Sequence, residues 1–239
     1  MRIEDKIGMM NSLEKRFGER ISHPPLVETK DAVATFRGAT EAQLGDFWEA
    51  TSLLGKLASE RMITVLNGNM TRDVIPDDFL VVGIPRGTYP FLSGVMGVID
   101  RSPVVITNDG EIKDESRPLV PEEITGFQTE TIVIVDPVID KGNTIRRTMS
   151  AFNDLGVVAD RVVSLAVVSH PPTIVELLDD FSELFIITVE TENELVQSPE
   201  GDEMWLKGFG DIGGLAKASI EANESLSELW LDPGFYLQQ

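Results

Sequence analysis

The sequence predicts an α/β protein, with a central, mainly parallel sheet flanked by helices. Three observations carry that expectation. Thr131 to Val135 is a run of five β-branched residues ending at Asp136, the pattern of a strand buried on both faces. A second apolar run, Phe79 to Ile84, leads through a short turn into a helical pattern with Phe91, Leu92, Val95 and Val98 on one side. Two further runs, Val162 to Val168 and Leu184 to Val189, are separated by a helical stretch. Strand and helix alternating at this spacing give right-handed parallel crossovers.

The remaining elements follow in order. Ile7, Met10, Leu13 and Phe17 stand three or four residues apart and predict an amphipathic helix within residues 1–20. Pro24 and Pro25 predict an extended segment over 21–27, in which His23 is a structural hydrogen-bonding residue. From Glu41 to Leu66 the positions of Leu44, Phe47, Trp48, Leu53, Leu54, Leu57 and Met62 predict a long helix. Trp48 is expected in its core, Gly45 and Gly55 are its weak points, and Asn67-Gly68 ends it. Pro103 to Thr107 reads as a strand, and the polar stretch from Asn108 to Glu123 as a flap. Thr144 is placed to cap a helix carrying Ile145, Met149, Phe152 and Leu155, and Thr173 to cap another running to about Leu178. His170, at a strand end, reads as a turn-stabilising residue. The apolar residues Leu226, Leu229, Trp230, Leu231, Phe235 and Tyr236 predict that the C-terminal segment docks on the body or on a partner subunit.

Composition narrows the chemistry. At 239 residues the chain can bury a full core as one large domain. It holds no cysteine and two histidines, which excludes disulfides, thiolate metal sites and a cysteine nucleophile. The formal net charge of −20 opposes nonspecific binding to nucleic acid or to an acidic membrane. No apolar run reaches the length of about 18 residues that a membrane span needs, and the first residues lack an apolar signal core, so the expected location is cytoplasmic.

Strand, acid, glycine loop and helix start in Asp136–Thr144 together form a turn suited to a phosphorylated ligand. The loop amides and the helix dipole attract the phosphate, and the acids at the strand end face a sugar. The plainer alternative is a βα turn with solvated acids. Arg86-Gly87 is a similar strand-to-helix turn: the guanidinium offers paired donors, and a glycine lets a phosphate approach the backbone. Its alternative is a surface arginine in a tight turn. Residues 204–214 hold four glycines around Asp211 and suit close backbone contact with a flat ligand.

Asp136-Pro137 with Lys141-Gly142-Asn143-Thr144 resembles the phosphoribosyl pyrophosphate (PRPP) loop of type I phosphoribosyltransferases. The Asp-Pro pair points within them to the uracil phosphoribosyltransferases. His23-Pro24, Phe36-Arg37, Arg86-Gly87 and Gly208 to Gly213 resemble further landmarks of that family, in the same order. The resemblance implies the type I phosphoribosyltransferase fold as one domain over 1–239, with residues 1–40 and 190–213 in a small hood and 222–239 as an extension. It implies transfer of 5-phosphoribosyl from PRPP to uracil, giving UMP and pyrophosphate, with Mg²⁺ as cofactor. GTP binding and a homodimer or higher oligomer are also implied.

The same resemblance assigns roles. PRPP contacts fall to Arg86, Gly87, Asp136, Pro137, Val138, Ile139, Asp140, Lys141, Gly142, Asn143, Thr144 and Asp211. Base contacts fall to Trp205, Gly210, Asp211 and Ile212. Arg86 and Mg²⁺ would stabilise the leaving pyrophosphate, and Asp136 would hold the ribose hydroxyls directly or through the metal. Asp140 stands where purine enzymes of this fold place a general base, so a different base is the alternative substrate. Where the family has a glycine, a flap arginine, a hydroxyl residue, a proline and a second aspartate, this chain has Thr88, residues 108–111 without arginine, Lys141, Lys207 and Gly214. Lys113 or Arg117 could supply the flap cation. The missing flap arginine and altered loop also suit a non-catalytic nucleotide sensor, and the segment from Trp230 to Tyr236 suits an interaction protein with that segment as its contact. The acidic surface predicts a protein that gains stability in a salt-rich medium, where solvated carboxylates keep it soluble. Thermal melts across a KCl series should show rising stability, and a melt indifferent to KCl would remove the idea.

Overall fold

The central strand is β6, Gln128–Val135, and its residues from Thr131 onward are all buried. This is a computed structural model, and it describes residues 3–67, 79–84, 88–99, 104–105, 107–108, 118–119, 124–197, 204–209 and 212–222. On one side β6 pairs in parallel with β2, Phe79–Gly83, and on the other with β8, Val158–Ser169. β9, Leu184–Thr191, joins β8; β1, Ile21–Ser22, joins β9; and β3, Val104–Val105, closes the far side. The order β1-β9-β8-β6-β2-β3 matches the expected parallel α/β sheet.

Alternation along the buried strands builds two cores. Val133 and Val135 point to one face with Val81 and Leu165, while Ile132 and Ile134 point to the other with Leu80 and Ala166. The first face is covered by α2 (Leu26–Gly38), α3 (Leu44–Leu66), α4 (Thr88–Met96) and α7 (Ile212–Glu221), through Phe36, Phe47, Leu54, Phe91 and Ala216. The second is covered by α1 (Ile3–Phe17), α5 (Asn143–Leu155) and α6 (Pro171–Asp180), through Leu13, Ile145, Phe152 and Leu177. Covering both faces is what a parallel sheet of apolar strands requires.

Several local expectations change. The extended segment stops at Pro25, which caps α2; Leu26 and Val27 are already helical because a proline fits the helix start without losing a hydrogen bond. Glu41–Gln43 is a 3₁₀ turn ahead of α3 rather than its first turn. Trp48 is half-buried, whereas its neighbour Phe47 takes the core position. Residues 109–117 and 120–123 of the expected flap lie outside the described residues. β5 (Pro118–Leu119), within it, pairs antiparallel with β4 (Thr107–Asn108).

Gly55 is a packing point rather than a weak one. A Cβ there would lie 2.1 Å from the Phe91 carbonyl oxygen, and a Cβ at Gly94 would lie 1.8 Å from that of Ser52. Two glycines therefore let α3 and α4 cross with their backbones in contact. Gly94→Ala should destabilise the fold by about 3 kcal/mol, at the upper end of overpacking costs because backbone cannot yield as a side chain does. Nothing lies within 4 Å of a Cβ at Gly45. Denaturant unfolding should find Gly45→Ala neutral or stabilising; equal losses at both sites would contradict this packing.

Candidate functional site

The loop after β6 continues the sheet instead of leaving it. Asp136 N–H donates to the Leu165 carbonyl at 3.1 Å, and the Pro137 carbonyl accepts from Val167 and Val168 at 3.0 and 3.1 Å. Val138–Ile139 then forms β7 beside Val168–Ser169, and His170 N–H donates to the Ile139 carbonyl at 2.8 Å. Four residues beyond the end of β6 are thus held in register by β8. His170 holds this turn through its backbone and occupies the N-cap of α6, while Thr173, expected as the cap, lies inside the helix.

Next the chain turns sharply. The Thr173 hydroxyl donates to the Asp140 carbonyl, Arg146 Nη1 donates to the Lys141 carbonyl at 2.9 Å, and Arg146 N–H donates to the Gly142 carbonyl at 3.0 Å. Gly142, not Thr144, is the N-cap of α5, with φ of 70°. A Cβ there would be strained and would lie 2.9 Å from Thr173 Cγ2 and 3.0 Å from Leu177 Cδ1. Asn143 and Thr144 open the helix, so their amides have no partner within it and sit at the positive end of its dipole. This arrangement can hold a phosphate.

Electrostatics divide the two acids of the loop. Burial pushes the Asp136 carboxyl up from 3.8 to about 7, the Asp140 charge adds to the rise, and the Val138 N–H, at 3.3 Å, opposes it. The residue keeps some surface exposure. Its carboxyl is nevertheless crowded enough for desolvation to dominate. Among the described residues no cation pairs with it, so it is an anion site suited to a metal or to sugar hydroxyls. Those described residues also hold no group of three or more His, Cys, Asp or Glu placed to hold a metal ion. Asp140, by contrast, turns its Oδ1 back onto the Lys141 N–H. The group proposed as a general base is engaged with its own turn.

A second group of expected residues meets at the end of β9. β10 (Leu195–Gln197) and β11 (Met204–Leu206) form an antiparallel pair in which Trp205 lies opposite Val196. Gly208 follows with φ of 82°, then Phe209. Phe36 lies with its ring centroid 5.7 Å from that of Phe209, and the Arg37 guanidinium sits 4.2 Å over the same ring. Arg37 also pairs with Glu190 at 2.9 Å and Glu192 at 3.2 Å. Two motifs more than 170 residues apart in sequence therefore grip each other. Ile212 opens α7 with its side chain buried in the core, which leaves only its backbone for ligand recognition.

Arg86, Gly87, Gly210 and Asp211 lie outside the described residues. Flanking the first pair, Ile84 N–H and the Thr88 hydroxyl both donate to the Val135 carbonyl, at 3.1 and 3.3 Å. Sequence reasoning missed Arg146, Thr173 as a loop tether, Glu190 and Glu192. The spacing of Glu176 and Asp180, four residues apart on one helix face, was the available signal for a basic partner.

A family model described as uracil phosphoribosyltransferase matches residues 47–214. The uracil phosphoribosyltransferases of Haloarcula marismortui and Natronomonas pharaonis are 26% and 24% identical over 148 residues. Each match covers 57% of this chain and 63% of the relative, so the chain spans less than two thirds of these relatives. The AQ2163 protein of Aquifex aeolicus superimposes with a TM-score of 0.57 at 19% identity, over 83% of this chain and 98% of that one, and shares the fold.

The raised Asp136 pKa has a defined sign. Between about 4 and about 7 the folded chain holds a proton that the unfolded chain releases, so this group's contribution to stability falls as pH rises through that window and then levels. Thermal melts from pH 5 to 8 should show a smaller decline for Asp136→Asn than for the wild type. Identical pH profiles would mean that the carboxyl is solvated.

Proposed function

The chain belongs to the uracil phosphoribosyltransferase family, and from that premise we propose that it transfers 5-phosphoribosyl from PRPP to uracil, as in pyrimidine salvage. The observation that carries this reading is the turn from Asp136 to Thr144. Its carboxyl stands just past the C-terminal end of the central strand, its left-handed glycine opens α5, and the first amides of that helix are free to take a 5′-phosphate. Asp136 would contact the ribose hydroxyls as positive charge develops on the ring carbon losing pyrophosphate. A desolvated carboxylate is well suited to that charge, and it gains strength as pH rises past about 7.

Mg²⁺, when bound, would neutralise the diphosphate, with Asp136 as the protein group able to face it. Arg86 would share that charge, and Lys141, exposed on the loop, would add a cation beside the 5′-phosphate. Residues 1–40 and 190–213 would form the hood, presenting the backbone of Trp205 and of Gly210 to Ile212 to the base. The segment at 208–213 favours uracil, and Asp140, whose Oδ1 accepts the Lys141 N–H, keeps another base as the alternative substrate.

A panel of radiolabelled bases incubated with PRPP and Mg²⁺ tests the reading. Label should pass from uracil to UMP with release of pyrophosphate, and Asp136→Asn should abolish turnover while keeping its melting transition. Label passing only from a purine would transfer the assignment to another base, and an active Asp136→Asn would remove Asp136 from the chemistry.

A further inference from the structure

Arg146 stands in the first turns of α5, four residues after Gly142, where a cation beside a phosphate-binding loop invites the role of ligand. Its bonds point elsewhere. Nη1 donates to the Lys141 carbonyl at 2.9 Å, Nη2 reaches Glu176 at 3.1 Å and Asp180 at 3.3 Å, and Nε reaches Asp180 at 3.4 Å. Four of the five guanidinium N–H groups are thereby engaged, three of them with carboxylates that already balance its charge.

What Arg146 holds is a peptide plane. In a trans peptide the carbonyl of one residue and the N–H of the next point in opposite directions. With the Lys141 carbonyl fixed toward Arg146, the Gly142 N–H is turned to the other side of the loop. The preceding carbonyl, of Asp140, is fixed in the same way by the Thr173 hydroxyl. Both anchors rest on α6, because Glu176 and Asp180 brace the guanidinium and Thr173 belongs to that helix. α6 is itself secured at its far end by Arg20, which donates to the carbonyls of Leu178 at 2.5 Å and Phe181 at 2.6 Å.

We propose that Arg146, braced by Glu176 and Asp180, is a positioning residue that aims the Gly142 amide and thereby sets the affinity for the 5′-phosphate of the donor. The proposal rests on the PRPP reading above and adds to it a residue that touches no ligand. A backbone amide aimed before the ligand arrives spares the cost of ordering it on binding, so the effect appears in donor affinity.

Titration calorimetry with Mg²⁺ and PRPP, followed by steady-state kinetics, tests it. Arg146→Met should weaken PRPP binding about tenfold, as loss of a charge-assisted hydrogen bond would. The change should fall on the KM for PRPP rather than on kcat or the KM for the base, and Arg146→Lys should recover part of it. The double variant Glu176→Gln, Asp180→Asn alters only two exposed acids and keeps Arg146. It separates the two roles by sign: weaker PRPP binding supports the brace, and tighter binding by the freed guanidinium makes Arg146 a direct phosphate ligand and overturns the proposal. Unchanged PRPP affinity in folded Arg146→Met also overturns it. A wild type that binds no PRPP removes the donor reading itself, and this proposal with it.

Discussion

The pairing of β6 with β8, carried on past the end of β6, is the constraint on which the rest of the structure depends. Seven register positions, from Gln128 opposite Val158 to Val135 opposite Leu165, fix the middle of the sheet. The same ladder then takes the Pro137 carbonyl and β7. A proline can stand here because its missing N–H is not required, while its carbonyl serves two amides of β8. The loop is thus part of the sheet until Ile139 and turns only at Asp140. Rigid placement of this kind is what a site for a charged ligand needs, since the cost of ordering is met during folding.

Charge placement follows from that geometry. The end of the central strand carries a desolvated Asp136 with no cation beside it among the described residues, and the helix after it carries exposed amides. One group attracts positive charge and the other attracts negative charge, a few residues apart, which matches a phosphosugar with its metal. The Arg37 cluster is the opposite case. Glu190 and Glu192 are nearly buried, and they are tolerated because one guanidinium meets both and stacks on Phe209. That cluster fixes the chain just before the glycine-rich segment, so the arginine read as a family landmark acts here as a tie between α2 and the loop at 207–209.

Much of this was legible in the sequence, and the reasons are specific. Runs such as Thr131 to Val135 declare buried parallel strands because no other element uses consecutive β-branched residues so well. The order of motifs pointed to the family whose model matches residues 47–214. Cap positions were less legible: Thr144 and Thr173 looked like caps by residue type, but Gly142 and His170 hold those places because the preceding turn is fixed by tertiary bonds to β8. Gly55 was misread since helix propensity is local, while its need for a hydrogen side chain comes from α4. The contact between Asp140 Oδ1 and the Lys141 N–H was illegible for a similar reason, since it is a matter of turn geometry.

The central claim is that the start of α5 is the seat of the donor's 5′-phosphate. Backbone amide NMR during titration with ribose 5-phosphate addresses it without requiring turnover or a chosen base. The account expects the largest shifts at the amides of Gly142, Asn143 and Thr144, saturating together. Saturable shifts centred on another part of the chain, with those three amides unmoved, would contradict it.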